Sequence, residues 1–506
     1  MIRHSDRVLT GLLALLLAWA PLPFGGVTPW ATASLLVLSF CAFALAMATA
    51  EGLGALRPAA VPLAALAAVA LLGLLQSLAA PEGLVRALSP EHARLYGQAA
   101  GLVETSPSPR LTLAASASRS AALGWAAAAA CLAAGAVAGR NRVHRRWLAG
   151  ALGLGGLFQV LFGARGWIAR EKTLWGVELQ SNPARLRGTF VNPNHLALYL
   201  GMVLPVAFAW GWWAARRARD EAQIERRMLL LIPPCLLWLT LFLGLAFSGS
   251  RAGMLAALAA VTVQGLLLPE SRQRWWLAPV GAVVALAGLA AVALVGFQEG
   301  LGRIVATTGG DVSWAARLAE YRAAFRLWQR FPLTGSGLGT FRDAFPLVQP
   351  ADLVGTWWHP HSDLLEVLVT AGLVGAVLVL AGLWGLVRRL FAVLRGGGRS
   401  EDRAAALAAL GVLAAAVVHA AFDFGLTMPG NAVTLALLLG AAAAAKAPAR
   451  ASAEADRARQ HPAPVEALEL QDVKPAPDRR RHRQRRPRPA GGPPHRKGAQ
   501  GGAVEP

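Results

Sequence analysis

The stretch W-W-H-P-H-S-D-L-L-E-V-L-V-T-A-G-L-V-G, residues 357–375, runs from a polar loop directly into an apolar segment of membrane length. Its polar part contains two histidines, His359 and His361, and a carboxylate, Asp363. An ionisable group at a membrane boundary costs desolvation free energy that a purely structural loop has no need to incur. We therefore interpret these three side chains as part of a functional site.

The composition is typical of a polytopic membrane protein. Of 506 residues, 55% are hydrophobic and 15% are charged, whereas soluble domains carry about 25% charged residues. Apolar runs of about 17–25 residues, long enough to cross a bilayer, recur along the whole chain. They predict an all-α fold with about twelve transmembrane helices, over residues 8–24, 30–50, 59–80, 121–139, 147–168, 196–213, 228–247, 252–268, 275–297, 364–387, 404–422 and 426–445.

The basic residues predict the orientation of these helices. Short cytoplasmic loops are rich in Lys and Arg. Four basic clusters fall on the side of the predicted helices that also holds both termini, namely 140–146, 216–227, 271–274 and 388–399. Both termini are therefore predicted to be cytoplasmic, and three longer loops are predicted to face outward, namely 81–120, 169–195 and 298–363.

The predicted topology divides the chain into four parts. Residues 1–297 hold nine transmembrane helices, residues 298–363 a large, partly helical periplasmic loop, and residues 364–445 the last three helices. Residues 446–506 contain few large apolar residues and a run of arginines, so a disordered cytoplasmic tail is predicted. The net charge of +21 lies mostly in short loops and in this tail. That distribution indicates membrane topology and contact with lipid headgroups rather than a nucleic-acid partner.

Neither a cofactor nor a metal ion is expected from the motifs. The run G-S-G-L-G-T-F (335–341) has no flanking strand pattern, so its glycines are expected to shape turns rather than bind a nucleotide. The three cysteines, Cys41, Cys131 and Cys235, lie in apolar runs without CxxC spacing or a neighbouring His. The energy for any reaction is therefore expected to come with its substrate.

Three arginines are predicted to face outward: Arg187 and Arg251 at the ends of predicted transmembrane helices, and Arg317 in the large outer loop. With the histidine pair, and with few outward carboxylates to neutralise them, they predict a positive pocket at the outer leaflet. A guanidinium binds phosphate oxygens bidentately and stays charged, so a lipid-linked phosphate or diphosphate is the expected ligand. Taken singly, each arginine could instead extend to the membrane interface.

His361 suits the role of general base, because an imidazole titrates near neutrality. Asp363 or Glu366 could orient it or pair with an arginine, although a histidine at a helix end is often only a hydrogen-bonded structural group. A second pair, His419 and Asp423, lies four residues apart on one face of the eleventh predicted helix. This pair is expected to brace the bundle near its outer end.

Several motifs occur in a characteristic order, namely G-T-F-V-N-P-N-H (188–195), S-G-S-R-A-G (248–253), F-P-L-T-G-S-G-L-G-T-F (331–341), H-S-D-L-L-E-V-L-V-T-A-G-L-V-G (361–375) and H-A-A-F-D-F-G-L-T-M-P-G-N-A (419–432). In this order they resemble the O-antigen ligase and O-antigen polymerase superfamily. The resemblance covers roughly residues 185–440, and the earlier helices are similar only in hydropathy.

The resemblance implies an inverting, metal-independent glycosyltransferase of the bacterial inner membrane, with its active site on the periplasmic side. Such enzymes transfer a glycan from an undecaprenyl-diphosphate carrier to an acceptor hydroxyl, here expected on lipid A–core or a growing glycan. His361 matches the histidine assigned as the base, and Arg251 and Arg317 match the arginines that bind the donor diphosphate. Arg187 matches less closely, and Ser362 stands where the family usually has Asn. Supporting roles are expected for Asn194, His359, Asp363 and Glu366.

The sequence leaves the acceptor open, because the variable outer loops would form its pocket. Beside a ligase, the chain could be a polymerase that joins polysaccharide repeat units, or a protein O-oligosaccharyltransferase. In a different class, a transporter or lipid flippase could use the same arginines to bind an anion in transit. Transporter sites tend to lie near the bilayer midplane, whereas these groups gather at the predicted outer boundary, which favours the enzyme.

Overall fold

The computed structural model describes residues 4–49, 53–102, 108–179, 185–268, 314–396 and 398–446. The predicted helix over residues 275–297 and the predicted tail beyond residue 446 lie outside these ranges.

Helices dominate the part of the chain that the structure describes. The first ten are α1 His4–Trp19, α2 Pro29–Thr49, α3 Ala60–Ser77, α4 Glu82–Leu88, α5 Pro90–Ala100, α6 Ala115–Ala138, α7 Arg142–Ile168, α8 Pro193–Arg219, α9 Ile224–Phe247 and α10 Arg251–Leu267. Five follow in the second half: α11 Trp314–Arg330, α12 Phe341–Ala344, α13 Asp363–Arg395, α14 Ser400–Phe422 and α15 Pro429–Ala443. Short 3-10 turns cover Phe24–Gly26, Leu53–Ala59 and Phe345–Leu347, and an antiparallel hairpin joins β1 Thr173–Leu174 to β2 Val177–Glu178.

The all-α class is confirmed for the described residues, and eight of their helices are long and apolar enough to cross a membrane. Two further apolar helices, α10 and α15, are shorter. Each predicted span within the described ranges overlaps one helix, but several helices extend past the apolar run. The span predicted over residues 196–213, for example, lies within Pro193–Arg219, because long basic side chains can continue a helix into the interfacial region.

Small residues let two helices of the bundle approach closely. An added Cβ at Gly135 of α6, or at Gly139 directly after it, would collide with the backbone of α15, at Leu437 and Ala441 respectively. In the other direction, a Cβ at Gly440 of α15 would collide with the backbone of α6. Small residues at such contacts are typical of helix packing in membranes, where van der Waals contact replaces the hydrophobic driving force.

Helix α13 is broken near its start, at Gly372, whose φ of 64° and ψ of −165° are not helical. The break frees backbone groups that would otherwise bond along the helix, and the loop of residues 332–337 satisfies them. Ser336 and Gly337 donate N–H groups to the carbonyls of residues 369 and 370, at 2.9 and 3.1 Å. The N–H groups of residues 373 and 374 in turn donate to the carbonyls of residues 332 and 333, at 2.9 and 3.1 Å. Non-helical backbone at membrane depth is tolerated only where protein or water satisfies it in this way.

The glycines of the G-S-G-L-G run shape the loop that fills this break. Gly335, Gly337 and Gly339 all have positive φ, of 72°, 113° and 74°, a conformation that residues with a Cβ rarely adopt. The prediction that these glycines form turns is therefore confirmed.

Two buried polar side chains from other helices form hydrogen bonds to the glycine-containing loop. Gln76 of α3 donates to the carbonyl of Thr334 at 2.6 Å and accepts from the N–H of Leu338 at 2.9 Å. His92 of α5 lies 2.7 Å from the Ser89 hydroxyl and 3.3 Å from the Ser336 carbonyl. Burial lowers the pKa of His92 to about 4, so it acts as a neutral structural group at pH 7.

We expect Gly372→Ala to destabilise the protein. Its φ and ψ lie in a region that costs a residue with a Cβ about 1–3 kcal/mol, and the added Cβ would also collide with the backbone of residues 333 and 335. The melting temperature of the detergent-purified protein should fall by about 2 °C or more. The matched control is Gly150→Ala in α7, where an added Cβ meets nothing within 4 Å. Equal melting temperatures for both variants would contradict a structural role for the break.

Candidate functional site at the start of helix α13

The start of α13 is fixed against the end of α14. Ser362 is the N-cap of α13, and its hydroxyl accepts from the N–H of Leu365 at 3.3 Å and donates to the carbonyl of Ala420 at 3.0 Å. The backbone N–H of Asp363 donates to the carbonyl of Asp423 at 3.1 Å. These contacts set the position of His361, which directly precedes the cap. Serine thus supplies a helix cap where the family usually has Asn.

The expected role of Asp363 needs correction. Its carboxylate accepts from the N–H groups of Leu426 and Thr427, at 2.9 and 3.0 Å, and so fixes the turn after α14. A buried carboxylate needs hydrogen-bond donors, and this turn offers two that no helix satisfies. Asp363 therefore holds the scaffold of the site, and its carboxylate is taken up by the turn rather than by His361 or an arginine.

His361 lies in a largely enclosed environment, with 17% of its side chain exposed. Its Nδ1 is 4.0 Å from Oδ1 of Asp423, and its ring meets the rings of Trp357 and Phe424 edge-on, with centroids 5.8 and 5.1 Å apart. The Tyr321 hydroxyl of α11 donates to the His361 carbonyl at 2.7 Å. A carboxylate at this distance stabilises the imidazolium that forms when the ring takes up a proton.

His359 also contacts Phe424. Its ring stacks on Phe424 with centroids 4.9 Å apart, and its Nδ1 lies 3.0 and 3.1 Å from the two carboxylate oxygens of Glu366. Glu366, which was expected to orient His361 or an arginine, therefore contacts His359. The phenyl ring of Phe424 thus contacts both histidines, and it also contacts His195 edge-on at 5.0 Å.

A chain of hydrogen bonds links Asp423 to two other segments. Asn194 at the start of α8 donates from Nδ2 to Oδ2 of Asp423 at 2.6 Å, and its Oδ1 accepts from Arg185 at 2.5 Å. Arg185 also donates from Nε to the carbonyl of Ser248 at 2.7 Å. His419, predicted to brace the bundle with Asp423, lies with Nε2 3.1 Å from the Asn194 carbonyl. Asp423 itself faces His361, a position that its helical spacing could not reveal.

The three predicted arginines differ in their contacts with this region. Arg317 of α11 donates from Nη1 to the carbonyl of Phe422 at 3.3 Å, directly before Asp423. Arg251 is the first residue of α10 and is exposed, three positions after Ser248. Arg187 is buried and donates to the carbonyl of Glu171 at 2.6 Å. The arginine that joins the network is Arg185, two residues before Arg187, which was the predicted one.

The prediction that few carboxylates lie near the outward arginines and the histidine pair is wrong. The fold gathers Asp363, Glu366 and Asp423 around the histidines, and it adds Glu320 of α11, whose side chain is 0% exposed. Neither carboxyl oxygen of Glu320 has a hydrogen-bond partner. Burial raises the pKa of Glu320 to about 9, with smaller contributions from the fields of Asp423 and Glu366 and an opposing one from Arg317. Its position three residues after Arg317 was the one signal in the sequence that could have indicated it.

Residues 235–380 match the family Wzy_C, described as O-antigen ligase. This stretch of the chain is similar to the O-antigen ligase family. The matched segment contains Arg251, Arg317, Glu320 and the two histidines, whereas Asn194 and Asp423 lie outside it. No curated protein matches the chain. The match, together with the apolar helices, supports a multi-pass membrane enzyme of the O-antigen ligase or polymerase type that acts on lipid-linked glycans.

We expect Asn194→Ala to reduce glycan transfer by about tenfold or more, because it removes hydrogen bonds to two charged groups, each worth about 1.5–3 kcal/mol. Asp423 would lose its Asn194 contact and turn away from His361. Asn192→Ser is the matched control, since it keeps an oxygen at the N-cap of α8. Transfer by detergent-purified protein from a lipid-linked donor measures the effect. Wild-type activity in the Ala variant would show that the network does not support catalysis.

Proposed function

We propose that the protein transfers a glycan from an undecaprenyl-diphosphate carrier to an acceptor hydroxyl. His361 is the general base, and Arg317, with Arg251 and Arg187, binds the donor diphosphate. The proposal rests on one observation, the closeness of a histidine, a carboxylate and an arginine. His361 lies 4.0 Å from Asp423, and Arg317 bonds to the carbonyl of the residue directly before that carboxylate.

In this proposal the two ring nitrogens of His361 have different roles. Nδ1 faces Asp423 and would carry the proton that points to the carboxylate, so Nε2 takes the proton of the acceptor hydroxyl. The acceptor oxygen then bonds to the anomeric carbon, while the bond from that carbon to the diphosphate oxygen breaks. The bonding electrons leave with the diphosphate. One displacement of this kind inverts the anomeric configuration.

The arginines stabilise the negative charge that develops on the leaving diphosphate. Arg317 is bonded to a neutral carbonyl at 3.3 Å, so this hydrogen bond does not neutralise its positive charge. Arg251 presents an exposed guanidinium at the start of α10. Planar guanidinium groups bind phosphate oxygens in pairs and stay charged at any relevant pH, so in this proposal they stabilise the leaving group without a metal ion.

We place this site on the periplasmic side of the bacterial inner membrane, with both termini in the cytoplasm. Supporting this orientation, basic residues at the start of α7 and acidic residues at the start of α14 meet at the other end of the helices from His361. There, buried Arg145 pairs with Asp402, and Arg146 pairs with Glu401 at 2.6 Å. Basic clusters at one end of a helical membrane protein are typical of the cytoplasmic side.

The acceptor that we propose first is lipid A–core, with a growing polysaccharide or a protein hydroxyl as the alternatives. Lipopolysaccharide from a deletion strain distinguishes the first two. Loss of all ladder bands with accumulation of lipid-linked polymer supports a ligase, whereas bands that stop at one repeat unit support a polymerase. Turnover by purified protein without an ion gradient would exclude the transporter alternative.

We expect His361→Ala to lower the rate of glycan transfer by about 10²–10⁴-fold, the usual contribution of a general base. His359→Gln should lose less, because His359 contacts Glu366 rather than Asp423. The measurement is transfer from lipid-linked donor to acceptor, with donor binding recorded in parallel. Full turnover in the Ala variant would refute the assignment of the base.

We expect Arg317→Lys to lose most of its activity, about tenfold or more, although the charge is kept. A lysine ammonium cannot bind two phosphate oxygens with the planar geometry of a guanidinium. The control is Arg322→Lys, an exposed position on the same helix. The apparent KM for the donor should rise for the first variant and stay unchanged for the second. Equal KM values would argue against bidentate phosphate binding by Arg317.

A further inference from the structure

Glu320 is a buried carboxyl group that the proposed reaction does not use. It lies on the face of α11 that carries Ala323, Ala324 and Leu327, which belong to a buried apolar cluster with Val369 of α13. Residues three and four apart share a helix face, so Glu320 is the polar member of an otherwise apolar contact with α13. Glutamate is rarely fully buried without a partner, and its presence there needs a chemical explanation.

Arg317 and Glu320 are one helical turn apart, within reach of an ion pair, yet they do not form one. Arg317 directs Nη1 to the carbonyl of Phe422 at 3.3 Å, and its Nε has no hydrogen-bond partner. Both oxygens of Glu320 are also without partners. An ionised carboxylate in this position would be strongly destabilised, because burial of an unpaired charge costs several kcal/mol. The arrangement fits a protonated, neutral carboxyl group.

The groups around Glu320 further oppose its ionisation. Two carboxylates lie within electrostatic reach, Glu366 of α13 and Asp423 after α14, and both raise the pKa of Glu320, while Arg317 lowers it. Burial is the largest influence, and the resulting pKa is about 9. Tyr321, the next residue of α11, has a pKa raised to about 12 by burial. The other titratable side chains around Glu366 and Asp423 are those of His195, His359, His361, Asp363 and His419.

We propose that Glu320 is a positioning residue that, by remaining protonated, keeps the guanidinium of Arg317 available to a phosphate group of the substrate. The inference rests on the proposed function, in which Arg317 binds the donor diphosphate. An ionised Glu320 would draw Arg317 into an ion pair along the helix and neutralise the charge that the phosphate requires. The neutral carboxyl thus lets the fold place an acidic residue beside an anion site.

The proposal predicts a fall in phosphate affinity as pH rises through about 9, because Glu320 is neutral below this pKa and negative above it. Tyr321 stays protonated across that range, and arginines keep their charge. The probe is glycerol phosphate, a monoester whose second pKa is about 6, so its own charge is constant between pH 8 and 10. Binding to the full-length, detergent-purified protein is measured over this range for the wild type, Glu320→Gln and Arg317→Ala.

In the wild type, we expect the affinity to fall about tenfold between pH 8 and 10. The affinity of Glu320→Gln, which is permanently neutral, should stay constant, and Arg317→Ala should bind weakly throughout. Glu178→Gln, an exposed position on β2, serves as the control and should follow the wild type. A fall in the Gln variant parallel to the wild type would overturn the role of Glu320 while leaving the proposed function intact. If Arg317→Ala bound glycerol phosphate with wild-type affinity, both the role of Glu320 and the proposed function would be overturned.

A second readout does not depend on the variants folding well. Infrared spectra of the wild type should show a protonated carboxyl band that disappears as pH rises through about 9. The apparent KM for the lipid-linked donor should rise over the same range while kcat changes less. If Glu320 had only a structural role, neither the carboxyl band nor the apparent KM would change over this pH range. Absence of a protonated carboxyl band at pH 8 would refute the proposal.

Discussion

The whole site depends on the backbone hydrogen bonds that cross the break at Gly372. A helix interrupted at membrane depth must find partners for the N–H and carbonyl groups that the break frees. Here the loop of residues 332–337 supplies them, with four hydrogen bonds between 2.9 and 3.1 Å. The first part of α13 is thereby separated from the long span that follows, and its N-terminal end can face α14, α8 and α11 at once. The same loop packs against α3 and α5 through Gln76 and His92.

The electrostatics of the site follow from this placement. Asp423 is 1% exposed and receives hydrogen bonds from Asn194 and from the N–H of Phe424, while its other neighbour is His361. Carboxylate, imidazole and guanidinium groups thus come from α8, α11, α13 and the turn after α14. The aromatic ring of Phe424 contacts three histidines and limits their access to water. An enclosed, low-dielectric environment strengthens each of these charge interactions.

Within the described residues, the sequence predicted the helical segments and the turn-forming glycines, and it also predicted the similarity to the O-antigen ligase family, because hydropathy, the placement of glycines and ordered motifs are local signals. It also indicated His361 and Arg317, whose placement near one another the structure supports. The parts of the site that could not be predicted from the sequence depend on contacts between residues far apart in the chain. Asp363 was expected near a base but binds the turn at Leu426, and Arg185 rather than Arg187 reaches Asn194. Glu320 was overlooked because nothing local distinguishes a buried glutamate from one that faces solvent.

A structure of the protein with bound undecaprenyl diphosphate, the product of the proposed reaction, tests the account most directly. The account predicts the diphosphate within hydrogen-bond distance of the Arg317 guanidinium, next to the turn after α14, with His361 facing the position of the transferred sugar. A diphosphate bound instead at the basic end of the helices, near Arg140 and Arg399, would contradict it.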